Sequence, residues 1–391
     1  MTSSPNLMEQ LRMLRSPEGW LYAGLPKFRA IFGRDSIISS MEYLGADNSI
    51  AASTLLALMR LQGKKYDPVS MECPGKIIHE NQTDPALIES RSRTVPWLKS
   101  GKNYFSVDST PLYVILAEML YSVEKEAMSQ EIGKSVAEAL SWIIRDGMNG
   151  SFLSYRKPPQ DSGLLSQSWR DGIGSMLEQM KSPVSVIGVQ GYAYRALRKT
   201  RELFPGEFFE DHSTLTEAID DALSFLQENV YDYFSLYDEN YLGLAIDGDG
   251  VLNQAITSDP GHLLFSGILT RSQEESIVGR LFESDLMTDY GIRCLSSKDR
   301  NFDPRAYQRG SVWPHDNWII AIGLKECGFS KEYAELRERM IRASEFIGGL
   351  PEYFGVSLDG HILQTSRMRI KPCFPQAWST GALHYFTSHE K

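Results

Sequence analysis

Helical periodicity recurs along this chain in about twelve segments, and the links between them alternate between short and long. The segments fall at roughly 5–15, 35–45, 48–63, 109–126, 131–147, 186–204, 212–232, 258–268, 270–284, 311–328, 330–349 and 373–390. One stripe is Leu112, Ile115, Leu116, Met119, Leu120 and Val123, with Thr110 read as N-cap and Pro111 as the first helical residue. Another is Leu336, Met340, Ala343 and Ile347. Links of a few residues follow the segments ending near 45, 126, 204, 268 and 328. Links of more than about twenty residues follow those ending near 63, 147, 232, 284 and 349. Short turns make antiparallel helix pairs. Long structureless links are uncommon unless they build a working surface, so their return at every second junction predicts one functional face.

Charge alternates with the links. The segment 330–349 carries Lys331, Glu332, Glu335, Arg337, Glu338, Arg339, Arg342 and Glu345, whereas 311–328 is nearly uncharged past its start. Buried helices are apolar all round and peripheral ones amphipathic, so each pair reads as one inner and one outer helix. The segment 48–63, charged only at Arg60, departs from that rule. About six such pairs predict an all-α closed double ring, an (α/α)6 barrel, as a single domain over 1–391. An open solenoid would show a fixed repeat length and exposed capping repeats, and neither is found.

Composition narrows the function. The stretch Met1 to Leu14 lacks the apolar core of a signal peptide, and no apolar run approaches membrane-spanning length. Cys73, Cys294, Cys327 and Cys373 lie far apart with no CxxC pair, which predicts a cytoplasmic protein without a disulfide frame or thiolate zinc site. A net charge of −10 argues against a nucleic-acid partner, because phosphate binding needs basic surface. His79, His262 and His315 show no HExxH-like ligand spacing, and no GxSxG, P-loop or GxGxxG occurs. No metal and no cofactor are therefore expected.

Polar and aromatic residues that a core does not need gather in the long links and at the helix starts that follow. They include Phe32-Gly33-Arg34-Asp35-Ser36, His79-Glu80, Val107-Asp108-Ser109, Ser168-Trp169-Arg170-Asp171, Asp259-Pro260-Gly261-His262, Trp313-Pro314-His315-Asp316, Leu350-Pro351-Glu352 and Gln376-Ala377-Trp378. Aromatic walls with Asp, Glu, Arg and Gln suit a sugar, whose C–H faces stack on rings and whose hydroxyls need many donors and acceptors. Each piece has a plain alternative. Asp108 is equally an N-cap, Arg34 with Asp35 a buried helix-start ion pair, and Trp313 or Trp378 a core residue.

In this order, FGRDS, PGKIIHE, VDSTP, SWRDG, VQGYAY, DPGHLLFSG, GSVWPHDN, LPEYFG and PQAWSTGA resemble the amylo-α-1,6-glucosidase family, over about residues 28 to 385. More distantly the set is similar to processing α-glucosidases, glucoamylases and trehalases. The resemblance implies an (α/α)6 barrel and inverting hydrolysis by two carboxylic acids. It implies Asp171 as acid, in a Trp-Lys-Asp segment that reads Trp169-Arg170-Asp171 here, and Glu352 as base, with Asp316 and Glu80 open as other bases. Arg34 and Asp35 would hold the terminal glucose. Trp169, Trp313 and Trp378 would wall the pocket, while His79, Glu80, Asp108, Gln190, His315, Asp316 and Gln376 bind hydroxyls. Arg170 keeps the lysine's charge beside the substrate but changes its geometry. The N-terminal β-sandwich and the transferase domain of many relatives are expected to be absent. The expected activity is exo-acting release of glucose from an α-glucan or glycogen-like oligosaccharide through α-1,6 or α-1,4 bonds. The alternatives are hydrolysis of a small α-glucoside, trehalose-like or glucosyl-glycerate-like, or a non-catalytic glucan-binding relative.

Overall fold

The computed structural model describes residues 6–159, 162–172, 174–203 and 213–388. Along the chain come α1 (Leu7–Leu14), α2 (Gly33–Glu42), α3 (Asn48–Leu61), α4 (Pro85–Ser92), α5 (Ser109–Val123) and α6 (Gln130–Trp142). They are followed by α7 (Ile187–Leu203), α8 (Ser213–Phe234), a 3₁₀ segment Asp259–Phe265, α9 (Arg271–Leu281), α10 (Pro314–Glu326), α11 (Ser330–Ile347) and α12 (Ala377–Ser388).

An inner ring closes on itself. α2 packs on α5, α5 on α7, α7 on the 3₁₀ segment, that segment on α10, α10 on α12, and α12 back on α2. Outside them lie α3, α6, α8, α9 and α11, each against its hairpin partner, and α1 supplies the sixth outer helix by packing on α12. This is the expected (α/α)6 barrel. Burial explains the two layers. Every residue of α2 is buried, whereas α11 buries Leu336, Met340 and Ala343 and turns its charged face to water. α3 is apolar for an outer helix because it packs against α2, α5 and α6 together.

Antiparallel pairing returns the chain to one end of the ring before each inner element, so the inner elements start on the same face. The long links lie there and contain antiparallel strands that no period-2 pattern announces, because each is two residues long. Ile31–Phe32 pairs with Glu80–Asn81, which pairs with Lys102–Asn103, and Ser185–Val186 pairs with Ala245–Ile246. Ile31–Phe32 and Ser185–Val186 run directly into α2 and α7.

Four local expectations change. Where the sequence predicts an α-helix over 258–268, Asp259–Phe265 form a buried 3₁₀ segment, with Pro260 near its start and Gly261 close against Ile320 and Leu281. α4 lies inside a long link; it starts at the Asp84 cap and Pro85 but buries none of its residues, so it carries no stripe to read. α6 ends in a π turn, Ile143–Met148. At α5 the N-cap position is Asp108 rather than Thr110, whose hydroxyl accepts the Ile77 N–H at 3.0 Å. One apolar cluster runs from Ile31 to Phe386. The four cysteines are free, and among the described residues no helix is long and apolar enough to cross a membrane.

Candidate active site

The starts of the inner elements bring Arg34 and Asp35 on α2, Asp108 before α5, His315 and Asp316 on α10, and Gln376 with Trp378 at α12 to one end of the ring. Helix N-termini present unpaired N–H groups and the positive end of the macrodipole, a setting that tolerates clustered carboxylates.

Arg34 organises the cluster. One guanidinium nitrogen donates to both oxygens of Asp108 at 3.0 and 3.1 Å, and another donates to Asp171 Oδ2 at 2.6 Å. Asp108 therefore occupies an N-cap position without capping, since Ser106 Oγ takes the Ser109 N–H instead. Gly33 makes this placement possible. Its N–H donates to His79 O, and a Cβ there would stand 2.1 Å from the Ile78 carbonyl oxygen.

Asp171 has a side chain 19% exposed, against 3% for Arg34 and 1% for Asp108, so it is the member of this trio reachable from outside. Burial raises its pKa, and Arg34 opposes the rise. Burial also pushes the Asp35 carboxyl up to about 7, with Asp171 and Glu352 adding to the rise and Arg34 resisting it. Gln376 Nε2 lies 3.4 Å from Asp35 Oδ1.

Glu352 is buried, with 2% exposure. One oxygen accepts the Tyr307 hydroxyl and the other accepts the Cys373 N–H at 2.9 Å. Burial raises its pKa while those two donors restrain it, and Asp171 adds to the rise. Asp171 thus raises the pKa of both Asp35 and Glu352, and Glu352 raises that of Asp35.

Tyr307 and Gln308 tie the Asp171 loop to Glu352. Gly172, next to Asp171, packs on the Tyr307 ring, where a Cβ would come within 2.4 Å. Gln308 accepts the Gly172 N–H at 3.1 Å and donates to Trp169 O. Neither residue belongs to a motif, and nothing in the spacing connects them to residues 169–172. Asp259 is a third residue whose part the sequence did not reveal. It accepts Trp169 Nε1 at 3.0 Å and Arg170 Nε at 2.7 Å. Burial would raise Asp259, but Arg170 holds it below the usual carboxylate value.

The aromatic residues form a cage. His315 stacks on Trp378 with ring centroids 4.0 Å apart, and Trp169 and Trp313 meet it edge-on at 5.1 and 5.6 Å. Both His315 ring nitrogens are buried without a hydrogen-bond partner among the described residues, and burial pushes the pKa of the ring well below its usual value. Gln376 Oε1, Trp378 Nε1 and Arg34 Nε are buried and unpaired as well.

Other expected residues make their bonds inside the protein. Arg170 is 1% exposed, and its guanidinium reaches Asp259, the carbonyls of Cys294 and Gln308, and the face of Trp169. Gln190 binds the backbone of Leu153 and Val186. Asp316 accepts from or shares a proton with His262 at 2.7 Å, and His262 does the same with Tyr192. Glu80 is held by both terminal nitrogens of Arg91. His79 lies edge-on to Phe32, and burial keeps it neutral, with Arg34 and Arg91 adding to the effect.

With this geometry in view, comparison with known proteins gives three results. Residues 261–359 match the mannosylglycerate hydrolase MGH1-like glycoside hydrolase domain. Mannosylglycerate hydrolases MGH1 and MGH2 of Selaginella moellendorffii are each 33% identical over 97 residues, which is 23% of this chain and 18% of theirs. The GH63 mannosylglycerate hydrolase from Thermus thermophilus in complex with Tris superposes with a TM-score of 0.69 at 16% identity, covering 98% of this chain and all of that one (100%). Its complex with Tris and D-glycerate gives 0.69 at 15% identity and 98% of both chains. These matches are with mannosylglycerate hydrolases rather than with the amylo-α-1,6-glucosidases that the motifs resemble. The matched segment holds Tyr307, Trp313, His315 and Glu352, while Arg34, Asp108 and Asp171 lie outside it. The chain is thus similar in fold to a GH63 mannosylglycerate hydrolase along nearly its whole length, and in sequence to that kind of glycoside hydrolase domain over residues 261–359.

Proposed function

We propose that the chain is an inverting glycoside hydrolase acting on a small glycoside of the mannosylglycerate kind, with Asp171 as acid and Glu352 as base. The observation that carries the reading is the pairing of two carboxyls with raised pKa values by one rigid assembly, in which Arg34 fixes one and Tyr307 the other. Arg34 binds Asp171 Oδ2, which leaves Oδ1 free to carry the proton donated to the glycosidic oxygen. Glu352, ionised, takes a proton from water as that water attacks the opposite face of the sugar. Asp35, Gln376 and His315 would grip hydroxyls; Asp108 would position Arg34, and Arg170 would position Trp169. Glu80 suits positioning better than base catalysis, because Arg91 holds both of its oxygens, whereas Asp316 gives one oxygen to His262 and stays the alternative base.

The small substrate, rather than an α-glucan, is favoured by the domain match over residues 261–359. A second support is Lys27, exposed over the Phe28 ring at 4.7 Å and near enough to Glu352 to oppose the rise of its pKa. In a chain of net charge −10, a cation there fits an aglycone bearing a carboxylate, whereas Arg91 is already committed to Glu80. The test is turnover of mannosylglycerate and glucosylglycerate against maltose, isomaltose and glycogen. The reading predicts preference for the charged glycosides and a loss of roughly 10²–10⁴ in rate for Asp171→Asn. Preference for glycogen would reject the substrate assignment, and an active, folded Asp171→Asn variant would reject the acid.

A further inference from the structure

A cleft of about 840 Å³ opens between the end of α6, α8 and the links around residues 66–76, 146–156 and 246–250. Arg34, Asp35, Asp171 and Glu352 do not line it, so it is separate from the centre described above. Its walls include Trp142 and Tyr155, and two rings stand at its rim, Tyr66 at 69% and Tyr233 at 61% exposure. Asp67, Glu72, Asp146 and Asp247 also line it. So does Lys76, which is 5% exposed; its ammonium lies 5.6 Å from the Trp142 ring and no closer than 3.4 Å to its one backbone acceptor, Met71 O. No ion pair holds Lys76 among the described residues. The π turn that ends α6 contributes Asp146, Gly147 and Met148 to the lining, and Asn149 follows with φ 47°. Met71, on the facing link, has φ 59°. Such departures cost energy and collect at functional sites.

We propose that this cleft is a second saccharide site, taking a neutral sugar unit. The volume suits a small ligand. Four carboxylates outweigh the one exposed arginine of the lining, Arg156, and so oppose an anion, while the buried Lys76 ammonium opposes a cation. A neutral polyol uses both, accepting from Lys76 and donating to Glu72 and Asp146, while its C–H faces meet Trp142 and the rim tyrosines. Glu72 and Asp146 each give only one oxygen to a protein hydrogen bond among the described residues, whereas Asp67 and Asp247 already accept on both oxygens. The cleft also shares a wall with the active centre. Val107 and Gln167 line it and are joined backbone to backbone at 2.8 Å, and the residues just beyond them are Asp108, Ser168 and Trp169.

The inference stands apart from the proposed activity, because binding in the cleft is read without turnover. The experiment measures equilibrium binding of mannose, glucose and maltotriose to the intact Asp171→Asn chain, with and without Tyr66→Ala and Tyr233→Ala. Both tyrosines are exposed, so the double variant keeps its fold, checked by an unchanged unfolding midpoint. Two binding events are expected, one of which weakens about tenfold or disappears in the tyrosine variant. Tighter binding of maltotriose at that event assigns the site to a glycan chain, and equal binding assigns it to free sugars. One event insensitive to the tyrosines, no binding of any of the three sugars, or soaked crystals with the active centre filled and the cleft empty would overturn the proposal.

Discussion

Arg34 serves two carboxylates from one guanidinium, and Asp35 beside it bears the electrostatic cost. Asp35 is buried among Asp171 and Glu352, and its pKa rises from 3.8 to about 7. A carboxyl that holds its proton more tightly when folded contributes stability that is fully present below the unfolded value, near pH 4, and is lost as pH rises through about 7. The chain should therefore lose stability between pH 4 and 8, with Asp171 and Glu352 acting in the same direction. Asp35→Asn cannot titrate, so relative to the native chain it should gain on the order of 1–4 kcal/mol across that window while losing sugar binding. Urea midpoints against pH measure this, and parallel curves for the two proteins would contradict it. Tyr307 acts on Glu352, the proposed base. Tyr307→Phe removes the donor that restrains the Glu352 pKa, so the acid limb of the pH–rate profile should move to higher pH. kcat/KM should fall roughly ten- to a hundred-fold, as for a lost hydrogen bond to a charged group. An unmoved limb would make Tyr307 merely structural.

At the scale of elements, the site depends on where inner helices begin. Gly33 sits where α2 leaves its short strand, against the Ile78 carbonyl. Gly33→Ala must push that contact apart, and Arg34 follows one residue later. The expected result is a loss of about 1–3 kcal/mol in stability together with reduced turnover, measured by unfolding and by kinetics on one sample. Stability lost with turnover intact would free Arg34 from this control. The helix starts were legible because stripes and caps are local signals. Arg34, Asp108 and Asp171 were legible as residues a core does not need. Their arrangement was not, since residues 74 and 137 positions apart meet on one guanidinium. Tyr307 and Gln308 escaped for the same reason, because each acts through contacts that only the closed ring creates. The segment holding Asp259 was legible, but its partners Trp169 and Arg170 were not. The two-residue strands and α4 lack any periodic burial to read.

For the whole molecule, ring closure by α1 on α12 and by α12 on α2 gathers the inner starts on one face. The alternation of link lengths and of charge carried enough information to predict this architecture, because burial on two layers repeats at every pair. Substrate identity was less legible. Sugar-binding chemistry is shared by many barrels of this kind, and the motifs resemble enzymes acting on larger glucans than the matched domain does. The central claim is a pair of carboxyls that act through water, and the stereochemistry of the first product tests it most directly. An inverting pair stands roughly 6.5–9.5 Å apart and a retaining pair about 5–5.5 Å, and the two release opposite anomers. The measurement is NMR of the anomeric proton of the sugar first released from mannosylglycerate, before mutarotation. The account predicts the anomer opposite to that of the cleaved bond, with no release by Glu352→Gln. First release of the same anomer would contradict it, because Glu352 would then be a nucleophile rather than a base.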